Sequence, residues 1–327
     1  MIQNTRIIII LDSFKRDSLL CLKVAEKILI CNKNIKVFIA QTGSDLVNLS
    51  LSCYRSIIIH NYSRNNNIST INKLNNCGVI NFVLDTEGFP LWIFSKSEFS
   101  SKELLSKIST YFTWGKEQKR IVNQIAQKDI AIECGSYRHQ RTIKIPSLNP
   151  ESCLILTSSP MSNPGLASKK ESIKSSIKGT RLSKNAISKI VLEQEKISER
   201  LCELIPLLSI HFKKIIIRVH PFERLDKYKK ITKNIKNIYF SKNQDLKKDL
   251  ENCSTVIHGY STAGIEAYLS GKNTYVTERT KNLPSFLEKY FKIIASGSEI
   301  ITKDNIKKIY KKSLKNIKKE KESVKKI

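Results

Sequence analysis

The sequence predicts an α/β protein with two doubly wound, mostly parallel sheets. Short apolar runs of strand length alternate with amphipathic stretches of helix length along most of the chain, a pattern typical of parallel sheets covered by helices on both faces. A chain of 327 residues also exceeds the usual size of one core, and the alternation pauses at residues 136–152. We therefore expect domains at 1–145 and 146–300 with a cleft between them, and a basic helix at 301–327.

The N-terminal half opens on a short apolar run that is followed by charges, which predicts a buried first strand and not a signal peptide. Further strands are expected where β-branched residues cluster, and helices where apolar residues recur every three to four positions. On this basis we predict strands at 6–11, 36–40, 56–60, 79–84, 111–114 and 130–134, and helices at 17–30, 44–51, 68–76, 102–109 and 116–127.

The C-terminal half repeats this alternation. Residues 158–185 are rich in Ser, Lys, Gly and Pro, and they form either a mobile functional loop or a disordered segment. The lysine-dense end of the chain has apolar residues at helical spacing, which predicts a helix that packs by one face or lies on an anionic membrane. We predict strands at 153–157, 214–219, 237–240, 255–258 and 273–277, and helices at 186–211, 226–235, 245–252 and from Ser261 onward.

The formal net charge of +28 fits nucleic acid, anionic lipid or anionic substrates as partners. The excess is mostly lysine, and an AT-rich genome also produces such heavy use of Lys, Asn and Ile. Nucleic acid is not expected, because the chain has neither interleaved aromatic and basic residues nor helix-turn-helix or zinc-finger spacing. Eight cysteines without a CxxC pair or a Cys/His cluster indicate a reduced, cytoplasmic protein with no metal site.

Carboxylates follow two of the predicted N-terminal strands. Asp85 and Glu87 come directly after the strand at 79–84, and Glu117 follows the strand at 111–114. A carboxylate at a strand end that faces a cleft is a candidate general base. A helix cap followed by a Gly-Pro turn explains the first pair equally well.

Two strand ends in the second half carry groups that suit a phosphate. Arg218 and His220 end one strand, and Pro221 makes the following turn rigid. Another strand leads to a helix whose N-terminus would bind an anion through side-chain hydroxyls and backbone N–H groups. A carboxylate on the following turn of this helix could accept a hydrogen bond from a ribose hydroxyl. These residues are Ser261, Thr262, Ala263, Gly264 and Glu266; His258 is a second ligand contact or a structural residue, and His60 and His211 are taken as structural.

In this order the motifs resemble those of bacterial surface-carbohydrate and capsule biosynthesis glycosyltransferases of the GT-B type. The group is similar to bacterial sialyltransferases and Kdo transferases, whose D/E-D/E-G, HP and S-S/T motifs match Asp85 to Gly88, His220-Pro221 and Ser261-Thr262. Trp114-Gly115-x-Glu117 and the run from Gly264 to Lys272 also look like that family. Three positions depart from it: Thr86 replaces the middle acid, Asn273 replaces a proline, and Gly135 to Gln140 replace Gly-Asn-Pro-Arg-Phe-Asp.

The resemblance implies a cytoplasmic glycosyltransferase, peripheral at the inner face of the membrane. It would move a sugar from a nucleotide-activated donor, with CMP-linked 2-keto sugars favoured, to a surface polysaccharide or glycolipid, without metal or other cofactor. Asp85 or Glu87 would act as base, His220 would hold the donor phosphate, and Arg138 and His139 would lie near the hinge and the acceptor. Alternative hypotheses for the function are a CDP-glycerol-type polyol-phosphate transferase, a UDP-GlcNAc 2-epimerase, and a non-catalytic nucleotide- or polyanion-binding protein.

Overall fold

The computed structural model describes residues 6–11, 14–41, 56–61, 63, 67–86, 100–135, 145–147, 149, 151–180, 182–243, 245–280, 283 and 285–324. The predicted helix at 44–51 and the predicted site residues Glu87, Arg138 and His139 lie outside these ranges. The chain divides into two compact units, Met1–Gln140 with Ser176–Leu182, and Arg141–Ser175 with Ser183–Ile327. The basic C-terminal helix belongs to the second unit.

The first unit contains a six-stranded parallel sheet in the order β2-β1-β3-β4-β5-β6. β1 is buried at five of its six residues, as expected for a central parallel strand that is covered on both faces. The strands are β1 (Arg6–Leu11), β2 (Lys36–Gln41), β3 (Ile57–His60), β4 (Ile80–Leu84), β5 (Thr110–Thr113) and β6 (Ala131–Glu133), and the helices are α1 (Phe14–Cys31), α2 (Ile68–Asn76), α3 (Lys102–Leu105) and α4 (Lys116–Ala126).

The second unit contains another six-stranded parallel sheet, in the order β12-β11-β10-β7-β8-β9. Its strands are β7 (Ser152–Leu156), β8 (Lys214–Arg218), β9 (Ile238–Phe240), β10 (Thr255–His258), β11 (Asn273–Thr277) and β12 (Glu299–Ile301). Its helices are α6 (Lys184–His211), α7 (Asp226–Thr232), α8 (Leu246–Glu251), α9 (Thr262–Leu269), α10 (Ser285–Ile294) and α11 (Ile306–Val324), and α5 (Lys169–Thr180) lies where the chain passes between the units.

The predicted fold class is confirmed, because both sheets are parallel and helices alternate with their strands. The segment at 158–185 differs from its prediction: it forms α5, and the stretch before α5 is hydrogen-bonded to the turn after β8 through Gly165 and Arg224. Two further elements were not predicted from the sequence: the helix α10, and the strand β12, which pairs with β11 at one edge of the second sheet.

The C-terminal helix α11 packs by its apolar face onto α6. Ile306 and Ile309 are buried in the same hydrophobic cluster as Leu208 and Phe212. Tyr310 meets Phe212 edge to face, with ring centroids 5.2 Å apart. This burial fixes the helix on the second unit and leaves Lys307, Lys308, Lys311, Lys312 and Lys315 exposed to solvent.

Candidate functional site

The strand order of each sheet locates its switch point, where the chain connections turn to opposite sides. In the second unit this point lies between β7 and β10, and in the first unit between β1 and β3. Ligands of open α/β sheets bind beyond the carboxyl ends of the strands at such points. In the second unit, the segments that follow β7, β8 and β10 carry Thr157, His220 and Ser261 at this edge.

His220 begins a tight turn whose geometry fixes the position of the imidazole proton. The backbone N–H of Glu223 donates to the carbonyl of His220 at 2.9 Å, and Pro221 occupies the second position of the turn, where its fixed φ is favourable. Within the turn, the backbone N–H of Phe222 donates to His220 Nδ1 at 3.3 Å. Because Nδ1 accepts, the neutral ring carries its proton on Nε2, which is therefore a donor.

A buried carboxylate that the sequence analysis did not single out lies beneath this turn. Glu223 Oε1 accepts hydrogen bonds from the Thr157 hydroxyl at 3.0 Å and the Ser159 backbone N–H at 2.5 Å, and Oε2 accepts from the Tyr228 hydroxyl at 2.8 Å. Burial raises the pKa of Glu223, although these donors oppose the shift. The sequence shows Glu223 three positions after His220. It does not show Thr157, which hydrogen-bonds to both residues, because Thr157 lies 63 residues before His220.

Arg218 is held by a buried acid of its own unit. Its Nη1 donates to Asp249 Oδ2 at 2.7 Å and to the carbonyl of Asn243 at 2.7 Å. The same carboxylate also accepts from the Ser241 hydroxyl and the Asn243 amide. Asp249 therefore offsets the positive charge of Arg218, which was expected to neutralise a phosphate. The contacts in the structure favour a role for Arg218 in holding the loop after β9.

The helix start at Ser261 satisfies part of its own hydrogen-bonding capacity. Ser261 is the N-cap of α9, and its hydroxyl accepts from the Ala263 backbone N–H at 3.3 Å. The Gly264 backbone N–H donates to the Ser261 carbonyl at 2.9 Å. The backbone N–H groups of Ala263 and Gly264, which were expected to hold a phosphate, therefore donate to Ser261 at the helix N-terminus. Thr262 is exposed and Glu266 is half-buried on the first turns of the helix.

Gly264 makes room for a histidine and not for a ligand. A Cβ atom at Gly264 would lie 2.5 Å from the ring of His258, which is fully buried. A chain of hydroxyls orients that ring: Thr274 donates to the Gly297 carbonyl, Ser298 donates to Thr274, and His258 Nε2 lies 3.0 Å from the Ser298 hydroxyl. The ring has no exposed surface, which favours the structural alternative for His258 over a ligand contact.

In the first unit, Asp85 is part of a buried network. It is 3% exposed, and its Oδ2 accepts from the Tyr111 hydroxyl and the Gln118 amide, each at 2.8 Å. The indole N–H of Trp114 donates to its backbone carbonyl at 2.6 Å. These bonds tie the ends of β4 and β5 to α4, and they explain Trp114 of the Trp-Gly-x-Glu segment. Glu117 lies on the surface of α4 in an ion pair with Arg120 at 2.6 Å.

A small pocket of about 10 Å³, room for little more than one water molecule, lies at the β1–β3 switch point of the first unit. Its lining includes His60, Asn61 and Thr86, together with apolar residues of β1 and α1. The side-chain nitrogen of Asn61 and the hydroxyl of Thr86 are buried and have no hydrogen-bond partner among the described residues. The sequence analysis placed the first unit's site at the ends of β4 and β5 and did not find this position, because it depends on the strand order.

Within the described ranges, no three His, Cys, Asp or Glu side chains are grouped so that they could hold a metal ion. None of the helices in that part of the chain is long and apolar enough to cross a membrane.

Comparison by sequence finds no matching protein-family model and no matching curated protein. Comparison of structures finds UDP-GlcNAc 2-epimerases. The enzyme from Methanocaldococcus jannaschii superposes with a TM-score of 0.53 and 11% identity, covering 94% of this chain and 91% of that one. The enzyme from Neisseria meningitidis, bound to UDP-GlcNAc, gives a TM-score of 0.53 and 9% identity over 95% and 92% of the two chains.

The heptosyltransferase WaaC from E. coli, with ADP, gives a TM-score of 0.43 and 8% identity, covering 94% of this chain and all of that one. At identities this low, the likeness to the two epimerases establishes the fold alone. The chain has the two-domain α/β fold of the GT-B type.

Proposed function

We propose that this protein is a glycosyltransferase that takes its sugar from a nucleotide-activated donor bound by the second unit. The observation that carries the proposal is the hydrogen bond from the Phe222 N–H to His220 Nδ1, from which we infer that Nε2 is the donor, at the carboxyl edge of the second sheet beside the switch point. An N–H donor aimed at the leaving phosphate stabilises the negative charge that develops as the sugar departs. The exposed Thr262 hydroxyl at the start of α9 supplies a second donor from the other side of the switch point.

The base that activates the acceptor is assigned to Glu87. A general base has to reach the acceptor hydroxyl, and Asp85 is buried and already bonded to Tyr111 and Gln118. Asp85 then acts as a brace for the strand ends that carry the site. Glu87→Gln should abolish transfer and leave nucleotide binding intact, whereas equal transfer by this variant would remove the assignment.

The test of the donor site is a thermal-shift panel of CMP, CDP, UDP, UMP and GDP on the full-length protein. A nucleotide present at 100 times its Kd stabilises the folded state by about 2.7 kcal/mol. We expect a selective shift that His220→Gln removes. The matched control is His211→Gln, because His211 is also half-buried in the second unit but stacks on Tyr310 at the end of α6. A shift that survives His220→Gln, or equal shifts with all five nucleotides, would contradict the proposal.

The resemblance of the motifs favours CMP-linked 2-keto sugars as donors, and a selective shift with CMP is the result that supports this choice. A UDP-GlcNAc 2-epimerase is the second candidate, because the fold matches two such enzymes over most of their length. An epimerase converts UDP-GlcNAc without an acceptor, whereas a transferase releases nucleotide only when it also modifies an acceptor. Incubation with UDP-GlcNAc alone, followed by analysis of the sugar product, separates the two.

We also infer that the protein works at an anionic membrane face, where a glycolipid acceptor would be found. Five exposed lysines on α11 carry this inference: Lys307, Lys308, Lys311, Lys312 and Lys315. Their helix is fixed to the second unit by its buried face, so that the charges are presented together on the other side.

A further inference from the structure

Glu223 is a carboxylate that the second unit buries with no cationic partner among the residues that the structure describes. Only 7% of it is exposed, and no ion pair among the described residues includes it. Its oxygens accept instead from neutral donors, namely the Thr157 and Tyr228 hydroxyls, the Ser159 backbone N–H and the Asn163 side chain. Burial of a carboxylate in this way costs free energy that an apolar side chain would not cost. A structural role alone gives little reason for a carboxylate here.

The contacts of Glu223 lead directly to His220. A carboxylate accepts and a backbone N–H donates, so the direction of the chain between them is fixed. The Thr157 hydroxyl gives its one proton to Glu223 Oε1 and accepts the backbone N–H of His220 at 2.9 Å. On the other side, the Glu223 backbone N–H donates to the His220 carbonyl at 2.9 Å. Both backbone polar groups of His220 are therefore held by Glu223, one directly and one through Thr157.

The loop before α5 closes over the same turn. The Gly165 backbone N–H donates to the Phe222 carbonyl at 2.7 Å, and a Cβ atom at Gly165 would lie 3.0 Å from the Glu223 carbonyl oxygen. The Asn163 amide donates to the Arg224 carbonyl at 2.9 Å. The turn is therefore held both by the contacts of Glu223 and by the hydrogen bonds from this loop. The direction of the His220 ring depends on both.

We propose that Glu223 is a positioning residue that holds His220 with Nε2–H directed at the donor phosphate, and this proposal rests on the function proposed above. The carboxylate does not contact the nucleotide. It orients the Thr157 hydroxyl, which binds the N–H of the peptide between Val219 and His220 and thereby positions the His220 side chain. The substrate class that such a site takes is a phosphate or diphosphate bound by a neutral N–H donor.

Two variants break this chain at different points. Thr157→Val removes the hydroxyl but keeps the shape of the side chain, so the His220 N–H loses its acceptor while Glu223 remains. Glu223→Met removes both carboxylate oxygens and keeps much of the side-chain volume, so the Thr157 hydroxyl and the Ser159 N–H lose their acceptor. Tyr228 can then turn its proton toward Ser198, whose hydroxyl is 3.3 Å away. The matched control is Thr277→Val, because Thr277 is fully buried at the end of β11 and its hydroxyl has no partner among the described residues.

The experiment measures the His220 tautomer and nucleotide binding separately. Long-range ¹H–¹⁵N spectra, assigned with His220→Gln, report which ring nitrogen carries the proton; titration calorimetry with CMP and with UDP reports Kd. We expect Nε2–H in the wild type and in Thr277→Val, a mixture of tautomers in Thr157→Val and Glu223→Met, and about tenfold weaker binding in both of these. An unchanged tautomer in both variants would overturn the positioning role. If the wild type binds neither nucleotide while the tautomers change as expected, the proposed function fails and the positioning role stands.

Discussion

A single glycine shows how a residue with an apparent ligand-binding role can have a packing role. Gly264 lies at the start of α9, where a glycine suggests close approach of a phosphate. The structure places the His258 ring 2.5 Å from the position of its missing Cβ. The sequence could not distinguish these cases, because His258 is only six positions earlier and nothing in the pattern shows that its side chain turns back onto the helix.

We predict that Gly264→Ala destabilises the second unit by about 1–3 kcal/mol, the usual cost of overpacking a core. The better helix propensity of alanine recovers at most about 1 kcal/mol of this. Urea unfolding gives the difference in the free energy of unfolding. The same substitution in a His258→Ala background should cost much less, since the ring is then absent. Equal costs in both backgrounds would contradict the packing explanation.

The residues of the candidate site that sequence reasoning found are those that end a strand or cap a helix, such as His220 and Ser261. Their position follows from local pattern, because a parallel sheet brings the carboxyl ends of its strands to one edge. Glu223 was missed because its role depends on Thr157, which lies at the end of a different strand. Arg218 and Asp85 were assigned roles without knowledge of the buried partners that now occupy them.

Among the elements, those with a strong apolar period were predicted to within a few residues. β1, β10 and β11 match the predicted ranges, and α6 differs from its prediction by two residues at one end. β12 is only three residues long and largely exposed, so no apolar run marks it. α5 is dominated by serine and lysine with a weak apolar stripe, and such a composition also suits a loop.

The charged face of α11 supports a prediction at the same scale. Polybasic segments near an anionic bilayer gain about 1 kcal/mol per lysine. Replacement of Lys307, Lys308, Lys311, Lys312 and Lys315 by Gln should therefore strongly reduce cosedimentation with phosphatidylglycerol vesicles and should have no effect with phosphatidylcholine vesicles. The matched control replaces five lysines around α7, on the same unit: Lys227, Lys229, Lys230, Lys233 and Lys236. Equal loss in both sets would show that net charge, and not this helix, drives binding.

At the scale of the whole molecule, the sequence predicted two doubly wound units because hydrophobic periodicity and length are global properties of the chain. It could not predict the strand order, since parallel neighbours are joined through space and not along the sequence. The switch points, and with them the pocket beside Asn61 and Thr86, follow only from that order. This is why the predicted site residues include some of the residues at the carboxyl edge of each sheet and omit other residues at the same edge.

Among the described residues, each unit buries one neutral histidine, His60 in the first and His258 in the second, and this predicts how stability depends on pH. Burial lowers the pKa of His60 to about 4 and that of His258 to about 3, whereas both titrate near 6.5 in the unfolded chain. Their stabilising contribution is complete above the unfolded value and is lost as the pH falls toward the folded values, because only the unfolded chain binds the proton. Between pH 6.5 and pH 5, each histidine should remove about 1.6 kcal/mol, because the unfolded histidine is already half protonated at pH 6.5.

Urea unfolding at pH 7.5, 6.5 and 5.0 measures this loss, and the slopes of variants identify its source. His60→Gln should flatten the pH dependence of the first unit, and His258→Gln that of the second. The raised pKa of Glu223 acts in the opposite direction, because its native carboxyl binds a proton before the unfolded one does. In the wild type, the free energy of unfolding of the second unit should therefore fall less steeply toward acid than that of the first unit. In His258→Gln, the pH dependence of the second unit should change more, and toward the opposite sign, than that of the first unit does in His60→Gln. A variant that loses stability toward acid as steeply as the wild type would show that carboxylates, and not these histidines, govern acid unfolding.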